Sequence, residues 1–102
     1  MGNQNIKEPR LSLQSLKVLQ AFAANPEKAY CGSEIMGVAG IASGTLYPIL
    51  IRFENAGWLT SSWENICPSE EGRPRKRFDK ISGHGLHKAN EAFEWVTQGL
   101  LA

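Results

Sequence analysis

Apolar and polar positions along the chain fall into blocks whose spacing changes from helical to alternating and back. Leu13, Leu16, Leu19, Phe22 and Ala23 recur every three or four residues behind Ser12, a good acceptor for first-turn N–H groups, until Asn25-Pro26 ends the run. A first helix is predicted there. A shorter helical block over roughly 31–38 turns Ile35, Met36 and Val38 inward, and Gly40 supplies the turn after it. The third helix opens at Ser43, carries Leu46, Ile49, Leu50 and Phe53 on its inner face and stops at Gly57. Pro48 falls at or just past the first turn, the only place where its missing N–H costs nothing, so a tight or slightly bent start is expected.

Residues 58–64 (Trp-Leu-Thr-Ser-Ser-Trp-Glu) are rich in β-formers, residues 65–74 carry Pro68, Gly72 and Pro74, and residues 75–81 read as a returning strand. Ser82 then caps a last helix with Leu86, Ala89, Phe93, Val96 and Leu100 along one side. Three helices, a hairpin and a further helix make a mainly α chain with a small β-hairpin, the order of a winged helix-turn-helix. The expected division is a loose arm over 1–10, the winged domain over 11–82 and a C-terminal helix over 83–102. The apolar ridge of that helix predicts dimerisation.

At 102 residues and 42% apolar content the chain suffices for one domain with its own core. Net charge is only +1, so a site for a polyanion must be local. The cations do concentrate: Arg73, Arg75, Lys76, Arg77 and Lys80 lie close together, broken by the single acid Asp79. Cys31 and Cys67 form neither a disulfide framework nor a metal-ligating pair, which points to a reducing cytoplasmic setting. Cys31 reads as a small core residue, and Cys67 as a loop residue. No run approaches the roughly 20 apolar residues of a membrane span. His84, His87 and Glu91 share a helix face but fall short of the four ligands of structural zinc, so no metal is expected. No nucleophile–base pair and no phosphate-cradling glycine loop stand out, so neither an enzyme nor a cofactor is expected.

Ser43-Gly44-Thr45-Leu46-Tyr47-Pro48-Ile49-Leu50, followed by Gly57-Trp58-Leu59 and Trp63-Glu64, then Gly72-Arg73-Pro74-Arg75-Lys76-Arg77-Phe78 and Ile81-Ser82-Gly83-His84-Gly85, resembles the ordered blocks of the PadR family of transcriptional regulators. The resemblance runs from Leu16 to about Phe93. It implies a dimeric repressor of double-stranded DNA with its recognition helix at Ser43 and its wing at Gly72, and leaves room for a small-molecule effector. Where the family's wing strand carries two successive aromatic residues, this chain has Phe78-Asp79.

On that reading Ser43, Gly44, Thr45 and Tyr47 lead into the major groove, Pro48 offers an apolar face, and Arg52 follows one turn later. Arg73, Arg75 and Arg77 alternate along a strand and are expected to share one face against phosphates, with Lys76 pointing the other way. The rivals are a winged-helix module that binds protein, favoured by the near-neutral charge, and a sensor that stacks an aromatic ligand on Trp58, Trp63 or Trp95.

Overall fold

The computed structural model describes residue 9, residues 11–66 and residues 68–101, apart from the side chains of 68 and 99–101. The expectations for the arm, Pro9 excepted, for Cys67 and for the Leu100 side chain lie outside the described residues. In chain order the elements are α1 (Leu13–Ala24), β1 (Tyr30–Cys31), α2 (Gly32–Ala39), α3 (Ser43–Asn55), β2 (Leu59–Trp63), α4 (Pro68–Glu71), β3 (Arg77–Ile81) and α5 (Gly83–Leu101).

Ser12 caps α1 as its sequence predicts, its Oγ accepting from the Ser15 N–H at 3.2 Å. The inner face of α1 follows the expected stripe in part: Leu19 and Phe22 are buried and Ala23 packs on the core, but Ser15, Val18 and Ala21 are buried beside them and Leu13 is exposed. Ser15 tolerates burial because the Ser12 hydroxyl donates to its Oγ. On α2, Ile35 is buried and Met36 packs on the core, but Val38 is exposed, contrary to the inward placement its spacing suggested. Gly40 ends α2 in the left-handed conformation that glycine adopts without strain.

The sheet has three antiparallel strands in the order β1-β3-β2, one more than the predicted hairpin. β2 and β3 pair from Leu59↔Ile81 to Trp63↔Arg77, and Tyr30↔Asp79 and Cys31↔Phe78 tie the segment before α2 to the far side of β3. Leu19, Phe22, Ile35, Leu46, Phe53 and Trp58 form the centre of one core, with Trp58 stacked on Phe53 at 5.2 Å between ring centroids. Ser82 caps α5, accepting from the Gly85 N–H at 2.9 Å. Gly85 lets α5 lie directly on the Trp58 backbone, since a Cβ there would stand 2.1 Å from the Trp58 carbonyl oxygen. Helix α5 thus packs inward as well as extending the fold: Ala89 is fully buried, and Leu86 and Phe93 rest on the same core. Of the stripe predicted for dimerisation, Ala89 is thus buried within the monomer, while Leu86 and Phe93 are only partly covered. The arrangement is a winged helix-turn-helix.

Candidate nucleic-acid interface

Helix α3 opens at Ser43 as its sequence suggested, but with Ala42 at the cap position, so Ser43 lies inside the first turn and does not cap it. No side chain caps this end, so the first N–H groups of α3 are left without the side-chain acceptor found at α1. Ser43, Gly44, Thr45, Tyr47 and Pro48 are all exposed, and only Leu46 of the opening turns is buried. The helix runs through Pro48 uninterrupted as far as Asn55. Arg52 is exposed one turn beyond.

Tyr47 is half-exposed and its ring leans back over α2: a Cβ at Gly32 would stand 2.2 Å from the Tyr47 Oη. Gly32 is therefore the position that lets the tyrosine lie there. Between α2, α3 and the wing runs a groove of about 390 Å³, with Tyr47, Leu50 and Ile51 on one wall and Arg75, Lys76 and Arg77 on the other. Tyr47, in the opening turns of α3, and the basic wing accordingly border the same groove.

The wing cations differ sharply in their partners. Arg73 follows Gly72, whose φ of 70° turns the chain, and its guanidinium grips Glu64 through two nearly parallel bonds, Nη1 to Oε1 at 2.7 Å and Nη2 to Oε2 at 2.9 Å. Glu64 also accepts from the Lys76 N–H at 3.1 Å. The Arg73 guanidinium, opposed by a little burial, pulls the Glu64 carboxyl down to about 2. Arg77 donates through Nη2 to Glu54 on α3 and, at 3.3 Å, to the buried Asp79. The Ser61 hydroxyl and then Arg77 hold Glu54 below the usual carboxylate range, whereas burial pushes Asp79 upward against the pull of Arg77.

The expectation that Arg73, Arg75 and Arg77 share one strand face gives way on two counts. Strand β3 starts only at Arg77, so the alternation does not extend back to Arg73, and the guanidinia of Arg73 and Arg77 are already matched to carboxylates. Arg75 gives only its Nε, to the Ile66 carbonyl at 3.0 Å, and is otherwise exposed. Lys76 is exposed with no described hydrogen bond from its ammonium group.

Sequence reasoning missed Glu54, Glu64, Asp79 and Gly32 as parts of this surface. Glu64 and Arg73 flank the wing loop with opposite charge, a signal that was available. Nothing local foretells that Glu54 reaches β3, 23 residues away. Also missed was α4 inside the wing, although Pro68-Ser69-Glu70-Glu71 has the proline and acids favoured at a helix start.

His87 and Glu91 form an ion pair at 3.2 Å, and no grouping of metal-ligating side chains occurs among the described residues. No single described helix is long and apolar enough to cross a membrane.

No family model matches the chain, and neither does any curated protein sequence. Among solved structures, the chain is similar to one described as a "possible transcriptional regulator" from Methanosarcina mazei Go1, at 16% identity and a TM-score of 0.63, covering 88% of this chain and 77% of that one. It is also similar to the circadian clock associated protein Pex from Anabaena, at 18% identity and a TM-score of 0.59, covering 86% and 81%. At these identities the likeness is one of fold, and it agrees with the winged helix-turn-helix built above from the chain itself.

Proposed function

We propose that this chain is a PadR-like transcriptional regulator that binds double-stranded DNA, acting as a repressor by occupying a pseudo-palindromic operator as a homodimer in the cytoplasm. One observation carries the reading: Tyr47, in the exposed and uncapped opening of α3, and the exposed Arg75 and Lys76 border a single groove. A duplex presented with that surface meets small hydroxyls and N–H groups for its base edges and cations for its adjoining phosphates. The descriptions of the two similar structures, a transcriptional regulator and a clock-associated protein, are in keeping with it.

Ser43, Gly44 and Thr45 lead into the major groove, Pro48 faces a thymine methyl, and Arg52 reads guanine or holds a phosphate beyond them. Tyr47 directs its hydroxyl to the sugar-phosphate backbone from the groove wall. Arg75 and Lys76 supply the non-specific affinity, while Arg73 and Arg77 build the wing that carries them. The second copy covers the outer side of α5 and the segment before α1, where exposed Trp95 and Leu11 line an apolar recess with Val96 and Leu16. This seam uses Val96 of the predicted stripe, with Ala89 buried in the core and Leu86 and Phe93 partly covered against it. Twofold symmetry then sets half-sites about one helical turn, roughly 34 Å, apart.

Selection of genomic fragments by the purified protein, followed by gel shifts on the recovered sequences, tests the proposal. A recurring inverted repeat whose ranking changes with Thr45→Ala supports it; equal, weak binding to every duplex at moderate salt removes it.

A further inference from the structure

Glu54, in the last turn of α3, holds both strands of the wing. The Ser61 hydroxyl on β2 donates to its Oε2 at 2.7 Å, and Arg77 on β3 donates through Nη2 to its Oε1. Each carboxylate oxygen thus serves a different strand. Strand β2 stays near α3 in any case, through the short turn at Gly57, whereas β3 reaches the helix from 23 residues away and meets it through Arg77. The inner side of that guanidinium is anchored in the sheet: Asp79, only 3% exposed, accepts from Nη2 at 3.3 Å, and the Arg77 Nε is sealed from solvent. An arginine fixed on its inner side carries the position of β3 directly to Glu54. Tyr47, Ile51 and Glu54 follow one another at helical spacing and form a single stripe on α3. The first two line the groove opposite Arg75, Lys76 and Arg77, and beyond Ile51 Glu54 joins Arg77 across it. The tie therefore stands about 10 Å along the helix axis from Tyr47.

We infer that Glu54 is a positioning residue for sequence-specific duplex recognition: through Arg77 and Ser61 it sets the spacing between the opening of α3 and the wing cations Arg75 and Lys76, so that base and phosphate contacts are made in one register. Glu54 has the wrong charge to hold a phosphate itself, and it acts on the duplex through what it ties together. A fixed spacing matters where both sets of contacts must fit one site. It matters little in non-specific binding, where the wing cations can rest on any phosphate. The inference rests on the DNA-binding reading and adds to it the residue that couples its two halves.

Fluorescence anisotropy of the full chain on a duplex recovered by the genomic selection, and on a scrambled duplex of equal length, tests it. Glu54→Ala is expected to lower the ratio of the two affinities about tenfold, the discrimination carried by one base contact, while affinity for the scrambled duplex does not fall. Glu54→Gln is expected to restore most of the ratio, because its amide oxygen still accepts from Arg77 and its amide nitrogen can donate to the Ser61 hydroxyl. A carboxylate that acted only as a charge near the duplex would make the two variants behave alike, both binding every duplex more tightly, and that result overturns the inference. An equal fall on both duplexes marks a merely structural role and overturns it too. If Glu54→Ala melts early, Ser61→Ala takes its place: it frees Oε2 alone and is expected to lower the ratio about threefold, with the scrambled duplex bound as before. An unchanged ratio in these variants overturns the inference and leaves the proposed function standing, whereas an unaltered protein that binds both duplexes equally removes the function and the inference with it.

Discussion

Arg73 and Arg75 stand two residues apart in one basic run, yet the structure gives them opposite work. Arg73 is clasped by both oxygens of Glu64 across the base of the wing, while Arg75 is exposed with only its Nε tied to a carbonyl. Arg77 and Lys76 repeat the contrast, the first between Glu54 and Asp79 and the second open to solvent. A cation already matched to a carboxylate has to surrender that partner before it can neutralise a phosphate. Density of arginine along a sequence thus overstates the charge a surface can offer, and the pairing pattern decides which arginines shape the wing and which are left open for the proposed duplex.

The contrast is broken or sharpened first at the open pair. Replacing Arg75 and Lys76 by alanine together is expected to weaken duplex binding roughly a hundredfold at moderate salt, taking about 1.5 kcal/mol for each charge-assisted contact, with thermal stability unchanged; fluorescence anisotropy and a melt report both. Arg77→Ala is expected to act the other way, on folding. It leaves Asp79 buried without its counter-charge, a loss of about 2–3 kcal/mol, visible as a lower denaturation midpoint. The double variant Arg77→Ala/Asp79→Asn recovers most of it, because the stranded charge is gone.

Arg73→Ala is a milder case, since the pair with Glu64 is screened by solvent: a small loss of stability and a wing that exchanges its amide protons faster. The smallest effect is on pH. Glu64 titrates at about 2 in the folded chain against an ordinary 4.5, so its contribution to stability is present above about 4.5 and is lost as pH falls toward 2. Wing amide exchange followed between those limits and divided by the intrinsic rate at each pH is expected to rise on acidification and to flatten in Glu64→Gln.

The helices and their order could be read from the chain because each long element carries its own period and punctuation: Ser12 and Ser82 as caps, Gly40 and Gly57 as stops, with positive φ at both glycines. Smaller features had no such signal. Strand β1 is only two residues long and exists because Asp79 and Phe78 lie opposite it, a long-range fact with no local period. On α1 the apolar spacing finds Leu19 and Phe22 but not the edges of the buried face, since Leu13 stays exposed while Ser15 goes inside with a hydroxyl partner. The tip of α3 could be anticipated as a surface from its small polar residues. The division of the wing arginines could not, because it depends on Glu54 arriving from α3 and on the turn at Gly72 bringing Arg73 back to Glu64.

The salt dependence of duplex affinity, compared between Arg75→Ala/Lys76→Ala and Arg73→Ala, tests the central claim most directly. Each phosphate contact contributes about 0.9 to the slope of log affinity against log salt. The open-pair variant is therefore predicted to lose roughly 1.8 from the slope, and the Arg73 variant to keep the slope of the unaltered protein. Equal losses in the two variants, or a steeper loss on removing Arg73, would contradict the division between wing-building and duplex-facing cations.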